Sequence, residues 1–340
     1  MWPTAELHVH IEGTLEVPLL LTLAQRNDIA LPSHDAAVLR ARYEFSCLQD
    51  FLDVYYDNLA VLVHERDFAD LALAYLQRAA TAGVRRAEIF FDPQSHTSRG
   101  VAMGTVVRGL SRGIEQAREL YGIDGALILC FLRHLGGDAA VATLREALPL
   151  REHFIGVGLD SSEVGFPPSL FREAFEIAAA EGLHRVAHAG EEGGPDYVWE
   201  ALDVLGVERI DHGNRALEDA ELMAVLRHRQ IPLTVCPLSN VALRTASADL
   251  AEHPLPVMLD EGLLVSVHSD DPAYFGGYVD DNVAALRSAG VVSEATAGRL
   301  AANAVMSSFL DGDAKARLLD EVRAYGAARG IELLAPASAR

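Results

Sequence analysis

Short apolar runs bounded by turn residues alternate along the chain with longer stretches whose apolar positions recur three and four apart. The short runs fall at residues 5–9, 87–91, 126–132, 154–159, 185–189, 209–212, 232–236 and 264–268; helical periodicity occupies intervening stretches such as 170–180, 197–205 and 217–227. This is the pattern of repeated βα units. The strands are apolar at nearly every position, so both faces need cover, which favours a parallel sheet wrapped in helices over a sandwich. Eight such strands can close into a barrel and leave no free edge. An open doubly wound sheet is the rival, but no glycine-rich dinucleotide loop follows the first strand. The expected fold is therefore α/β, a single (β/α)8 TIM barrel.

Two departures from even spacing qualify it. A long insertion separates the first strand from the second, and residues 28–75 within it read as mostly helical. Phe45, Leu48, Phe51, Leu52, Tyr55 and Tyr56 form an aromatic-rich face there, suited to the core or to a helical lid over a pocket. Residues 293–334 read as further helices, and 335–340 as a frayed end. No linker or repeat divides the chain, so residues 1–340 are read as one domain with the lid, about 28–75, inserted in it.

Composition narrows the partners. The 340 residues are 50% hydrophobic and 23% charged, ordinary globular usage that excludes global disorder and a coiled coil. With 28 basic against 49 acidic residues the net charge is -21, which disfavours nucleic acid and anionic membranes and suits a small neutral or cationic ligand. Cys47, Cys130 and Cys236 are scattered and odd in number, pointing to a reducing compartment rather than a disulfide scaffold. The opening MWPTAELHVH lacks a signal-peptide pattern and no charge-free apolar run is long enough to span a membrane, so a cytoplasmic location is expected. Apolar helix faces can pack within or between chains, and a homo-oligomer is compatible with the pattern.

The unusual polar residues cluster at strand ends. His8 and His10 are two apart on the first strand and so share one face. The fifth run leads into His188-Ala189-Gly190-Glu191, the sixth into Asp211-His212-Gly213, the seventh into Cys236-Pro237-Leu238-Ser239-Asn240, and the eighth into His268-Ser269-Asp270-Asp271-Pro272. In a parallel barrel these ends converge on one mouth, where barrel enzymes work. Three imidazoles and a carboxylate are then available to a metal, with a further carboxylate and imidazole beside it. Zinc suits such a ligand set first, and Fe2+ or Mn2+ also fit. Cys236 has no second cysteine near it and is read as packing.

These same strings carry a family resemblance. ELHVHIEG at 6–13, HAGE at 188–191, DHG at 211–213, CPLSN at 236–240 and SDDP at 269–272 resemble, in order, the motifs of the adenosine/adenine deaminase family, metal-dependent barrels of the amidohydrolase superfamily. HIEGTLEVP at 10–18, FFDPQSHTSRG at 90–100, GLDSSEVGFPP at 158–168, VAHAGEEGG at 186–194, YVWEAL at 197–202 and DDPAYFGGY at 270–278 resemble its adenine-specific branch. The resemblance, over about residues 5–330, implies a zinc-dependent aminopurine hydrolase of purine salvage that converts adenine to hypoxanthine and ammonia. Adenosine, an N6-substituted adenine or aminodeoxyfutalosine are the alternative substrates. It implies His8, His10, His188 and Asp270 as ligands of one Zn2+ per chain, with Glu191 as the proton-transferring acid and His212 as the imidazole beside the activated water. It places Asp271 at the purine's N7 side, with Glu12, Glu163 and, more weakly, Ser162 in the substrate pocket, Glu163 against the N3/N9 edge. His268 departs from the branch, where Asn is usual, and is read as a buried, hydrogen-bonded histidine.

Overall fold

The computed structural model describes residues 1–45 and 48–333. Its eight parallel strands are β1 (Thr4–Glu6), β2 (Val84–Phe91), β3 (Asp124–Leu132), β4 (Phe154–Asp160), β5 (His184–Ala189), β6 (Arg209–His212), β7 (Pro232–Val235) and β8 (Leu264–Val267), each hydrogen-bonded to the next in chain order. Seven of them overlay the apolar runs read from the sequence to within a few residues at each end. β1 is shorter than expected because its ladder is interrupted. The chain beyond Glu6 rejoins the sheet through single bridges, Val9 to Asp270 and His10 to Phe90. The backbone N–H of Asp270 donates to the His8 carbonyl at 3.0 Å and that of His10 to the Asp270 carbonyl at 3.1 Å. The first and last strands thus meet where the sequence placed three of the four metal ligands.

Strand interiors are almost wholly buried, as an apolar parallel strand with helices outside and side chains inside requires. After β1 the chain forms helices Val17–Asn27, Ala36–Arg40, Leu48–Asn58 and Glu65–Thr81 before β2 begins. Glu294–Ser307 and Gly312–Ala327 complete the C-terminal region, as the periodicity there predicted. Cys130 and Cys236 are free and buried. Cys47 and the end segment 335–340 lie outside the described residues. Among the described residues no helix is long and apolar enough to cross a membrane.

A fully buried ion pair lies inside the barrel toward its N-terminal end. Arg209 donates to Glu88 at 2.7 Å and to the carbonyls of Leu7 and Ser307 at 3.3 Å each, with its guanidinium 4.5 Å from the centre of the Phe309 ring. Glu88 also accepts from the Phe309 backbone N–H at 2.6 Å. Arg209→Ala strands a buried carboxylate, so it is expected to cost about 3–5 kcal/mol, measured as a lower urea midpoint.

Candidate metal centre and active site

His8, His10, His188 and Asp270 arrive from β1, β5 and β8 with one potential ligand atom each, all within 4.8 Å of one another. His10 Nε2 is 3.2 Å from His188 Nε2, and Asp270 Oδ1 is 3.4 Å from His8 Nε2 and 3.5 Å from His10 Nε2. These separations are close to the roughly 3.3 Å edge of a tetrahedron built on metal–nitrogen bonds of about 2.0 Å. His8 Nδ1 donates to Thr234, whose carbonyl and hydroxyl oxygens lie at 3.1 and 3.0 Å. The proton is therefore on Nδ1, and Nε2 is a bare lone pair, buried and without a hydrogen-bond partner. A lone pair aimed at a carboxylate oxygen needs a cation between them, so the donor set fits a divalent metal.

Carboxylates stand behind the other two imidazoles: Asp160 Oδ2 is 3.4 Å from His10 Nδ1, and Asp211 Oδ2 is 3.6 Å from His188 Nδ1. Such partners fix the ring tautomer and raise ligand basicity. Burial, and then the positive potential of the neighbouring rings, holds His188 well below the ordinary imidazole range; burial lowers His10 to about 4. Both are thus neutral at pH 7, the form that ligates metal.

Glu191 and His212 flank this cluster, with His212 Nε2 at 3.5 Å from Glu191 Oε2 and 3.9 Å from Asp270 Oδ2. Burial, reinforced by Asp270, Glu163 and Glu192, pushes the Glu191 carboxyl well above its usual range, against the opposing charge of Arg133. Glu191 is therefore held as a carboxylic acid, with a proton to give. Burial lowers His212 to about 3. Asn240 donates to His212 Nδ1 at 3.3 Å, which leaves the neutral ring's proton on Nε2, facing Glu191 and Asp270. The resting imidazole is thus arranged as a hydrogen-bond donor toward the reacting side, where the sequence reading had given it a proton-accepting role.

The cavity beside these groups, about 450 Å³, is lined on its outer side by Leu48, Phe51, Leu52, Tyr55, Tyr56 and Phe275. The aromatic face of the insertion therefore covers the pocket. Ser161, His212 and Asp270 all take left-handed backbone angles, with φ of 71°, 64° and 64°. Each such residue costs of order 1–3 kcal/mol, a strain held by the surrounding barrel and concentrated here at the mouth.

A model of the adenosine deaminase family matches residues 3–325. The chain belongs to that family. A protein of Streptomyces coelicolor named adenine deaminase is 58% identical over 325 residues, 95% of each chain. The crystal structure of an adenine deaminase from Arthrobacter aurescens superposes with a TM-score of 0.94 at 53% identity, covering 96% of this chain and 99% of that one. An amidohydrolase of Burkholderia ambifaria, solved with bound zinc, gives 0.87 at 28% identity over 96% and 93%.

Not every residue carried over from the family motifs faces the pocket. Asp271 does, with Oδ1 buried and unpartnered. Gly13 permits this, because a Cβ there would collide with the Asp271 side chain and sit 2.7 Å from its Cα. Glu163, expected against the substrate, turns away from it. Its Oε1 accepts from the backbone N–H of Gly190 at 2.7 Å, and its Oε2 from those of Glu191, Glu192 and Gly193 at 3.0, 2.8 and 2.9 Å. One carboxylate thus holds the whole turn that carries Glu191. Glu12 also lies behind the wall, accepting from the Asp92 backbone N–H at 3.1 Å and from His96 Nε2 at 2.9 Å. Ser161, rather than Ser162, lines the pocket, with its hydroxyl 2.8 Å from His134 Nδ1. His268 is a buried neutral ring, as expected: Nδ1 accepts from the Leu7 N–H at 3.1 Å, and Nε2 is 2.8 Å from Ser266 Oγ. Cys236 is buried at the centre's edge, and its sulfur belongs to an alternative donor group with His8, His212 and Asp270.

Sequence reasoning assigned no role to Asp160, Asp211 or Asp92. Asp160 and Asp211 stood inside quoted motifs, GLDSSE and DHG, two strand ends that the sequence already aimed at the mouth. Asp211→Asn is expected to lower metal affinity 10–100-fold in chelator competition while the fold persists. Glu163→Gln places an amide N–H against backbone N–H groups. It is expected to reduce kcat about 10²-fold by shifting Glu191, with bound metal and KM little changed.

Proposed function

We propose that the protein is an adenine deaminase that takes adenine and water to hypoxanthine and ammonia, with one zinc ion held by His8, His10, His188 and Asp270. The observation that carries the reading is a buried carboxylic acid, Glu191, beside a four-ligand metal site at the bottom of a pocket roofed by aromatic side chains. The relatives named adenine deaminase, at 53–58% identity over nearly the whole chain, support the choice of adenine. The zinc-bound amidohydrolase supports the choice of metal over Fe2+ or Mn2+.

The reaction needs an electrophilic C6 and a competent nucleophile. When bound, the cation supplies Lewis-acid activation of water, lowering its pKa from 15.7 toward about 7. Glu191 delivers its proton to the ring nitrogen N1, so the purine takes up negative charge as C6 becomes tetrahedral. His212, donating through Nε2, orients the attacking oxygen on the metal-facing side and accepts load from Asp270. Asp271 binds the N7 side of the imidazole ring. The faces of Phe51, Tyr55 and Phe275 exclude bulk water from the flat base, which strengthens each of these polar contacts. The amino group then leaves as ammonia. In this reading residues 1–340 act as one domain, cytoplasmic, on a small purine base, without nucleic acid.

Purified enzyme of measured zinc content should release ammonia from adenine faster than from adenosine or N6-substituted adenines; no turnover of adenine would remove the proposal. Glu191→Gln should keep its zinc and lose 10²–10⁴-fold in kcat/KM. Glu191 works protonated, and its pKa is raised. The rate is therefore sustained below that pKa and lost as pH rises through it, and this alkaline limb should be absent in Glu191→Gln.

A further inference from the structure

The pocket wall contains an acceptor that the reaction as derived does not use. Asp92, at the C-terminal end of β2, is 3% exposed, lines the cavity, and has a buried Oδ1 with no hydrogen-bond partner. The side chain does not cap helix Pro93–Thr97, which it precedes. Its backbone is held in place from behind, by the Glu12 carboxylate on its N–H. Asp160 stands beside it in the wall, and its oxygens are likewise unpartnered apart from the facing His10 ring at 3.4 Å. The polar neighbours of Asp92 are therefore carboxyl groups, which compete for donors and supply none while ionised. A buried acceptor left in this state costs free energy until something brings it an N–H.

The substrate has such a group. Free adenine carries two kinds of N–H, the 6-amino group, which departs, and one on the imidazole ring. With Asp271 at N7, that ring proton is on N9, the atom that bears the sugar in a nucleoside. We infer that Asp92 accepts a hydrogen bond from N9–H of the free base and is the residue that separates adenine from its N9-substituted derivatives. The inference rests on the adenine deaminase reading and gives a job to the edge of the base for which the sequence had nominated Glu12 and Glu163. Glu163 is spent on the 190–193 turn, and Glu12 positions Asp92 instead of touching the ligand. Discrimination by such an arrangement is twofold: a nucleoside loses the hydrogen bond and leaves the carboxylate buried and unpaired.

The test compares adenine with 9-deazaadenine, which puts C–H at position 9 without added bulk, in wild type, Asp92→Ala and Asp92→Asn, all at measured zinc content. Asp92→Ala should lower kcat/KM for adenine about 10–100-fold, the scale of one hydrogen bond to a charged group. Its effect on 9-deazaadenine should stay within about twofold, so that the preference between the two bases collapses. Asp92→Asn retains an acceptor oxygen and should keep part of the preference. Calorimetric binding of hypoxanthine against 9-methylhypoxanthine should show the same pattern without turnover. Equal losses for both bases in Asp92→Ala, or an adenine rate that does not change, overturn the inference. A wild type that does not deaminate adenine defeats the functional reading itself, whereas a wild type that turns over both bases alike defeats the Asp92 assignment alone.

Discussion

Three neutral imidazoles and a carboxylate converge on one buried point, and their lone pairs need a common positive charge. That requirement organises the mouth of the barrel. The seam between β1 and β8 is closed by backbone hydrogen bonds of His8, His10 and Asp270, so the residues that complete the sheet are also ligands. Because the barrel wall is rigid, the four donor atoms stay near tetrahedral spacing without a floppy loop to collapse them.

Behind that centre lies a layer of acidic side chains whose task is placement. Thr234, Asp160 and Asp211 aim the three imidazoles, Glu163 gathers four backbone N–H groups under Glu191, and Glu12 holds Asp92. A carboxylate suits this work because two oxygens can accept several hydrogen bonds from a turn whose N–H groups all point inward. It also explains how a chain with net charge -21 tolerates so many buried acids. The carboxyls are satisfied by backbone N–H groups, by imidazoles, or by remaining protonated, as burial makes Glu191 do.

Much of this was legible beforehand, and for physical reasons. Strands buried on both faces are written as unbroken apolar runs, so all eight were found, and the rule that barrel strands end at one mouth then gathered His8, His10, His188, Glu191, His212 and Asp270. The insertion's aromatic spacing marked an apolar face, but not whether it met the core or the pocket; that depended on how Leu48–Asn58 lies across the barrel. Glu12 and Glu163 were assigned to the substrate because motif matching places a residue in a neighbourhood without saying which way its side chain turns. Asp160 and Asp211 passed without a role because orienting an imidazole on another strand leaves no local spacing to read.

The amino-acid sequence by itself determined the order and period of the elements, and with them the fold and the identity of the residues at the mouth. Those follow from short-range rules, burial of both strand faces and alternation along a strand. Only the tertiary structure decided what each acid touches. Whether a carboxylate meets a metal ligand, a backbone turn or open pocket is settled by neighbours far away in the chain, through distances of about 3 Å that no one-dimensional pattern encodes.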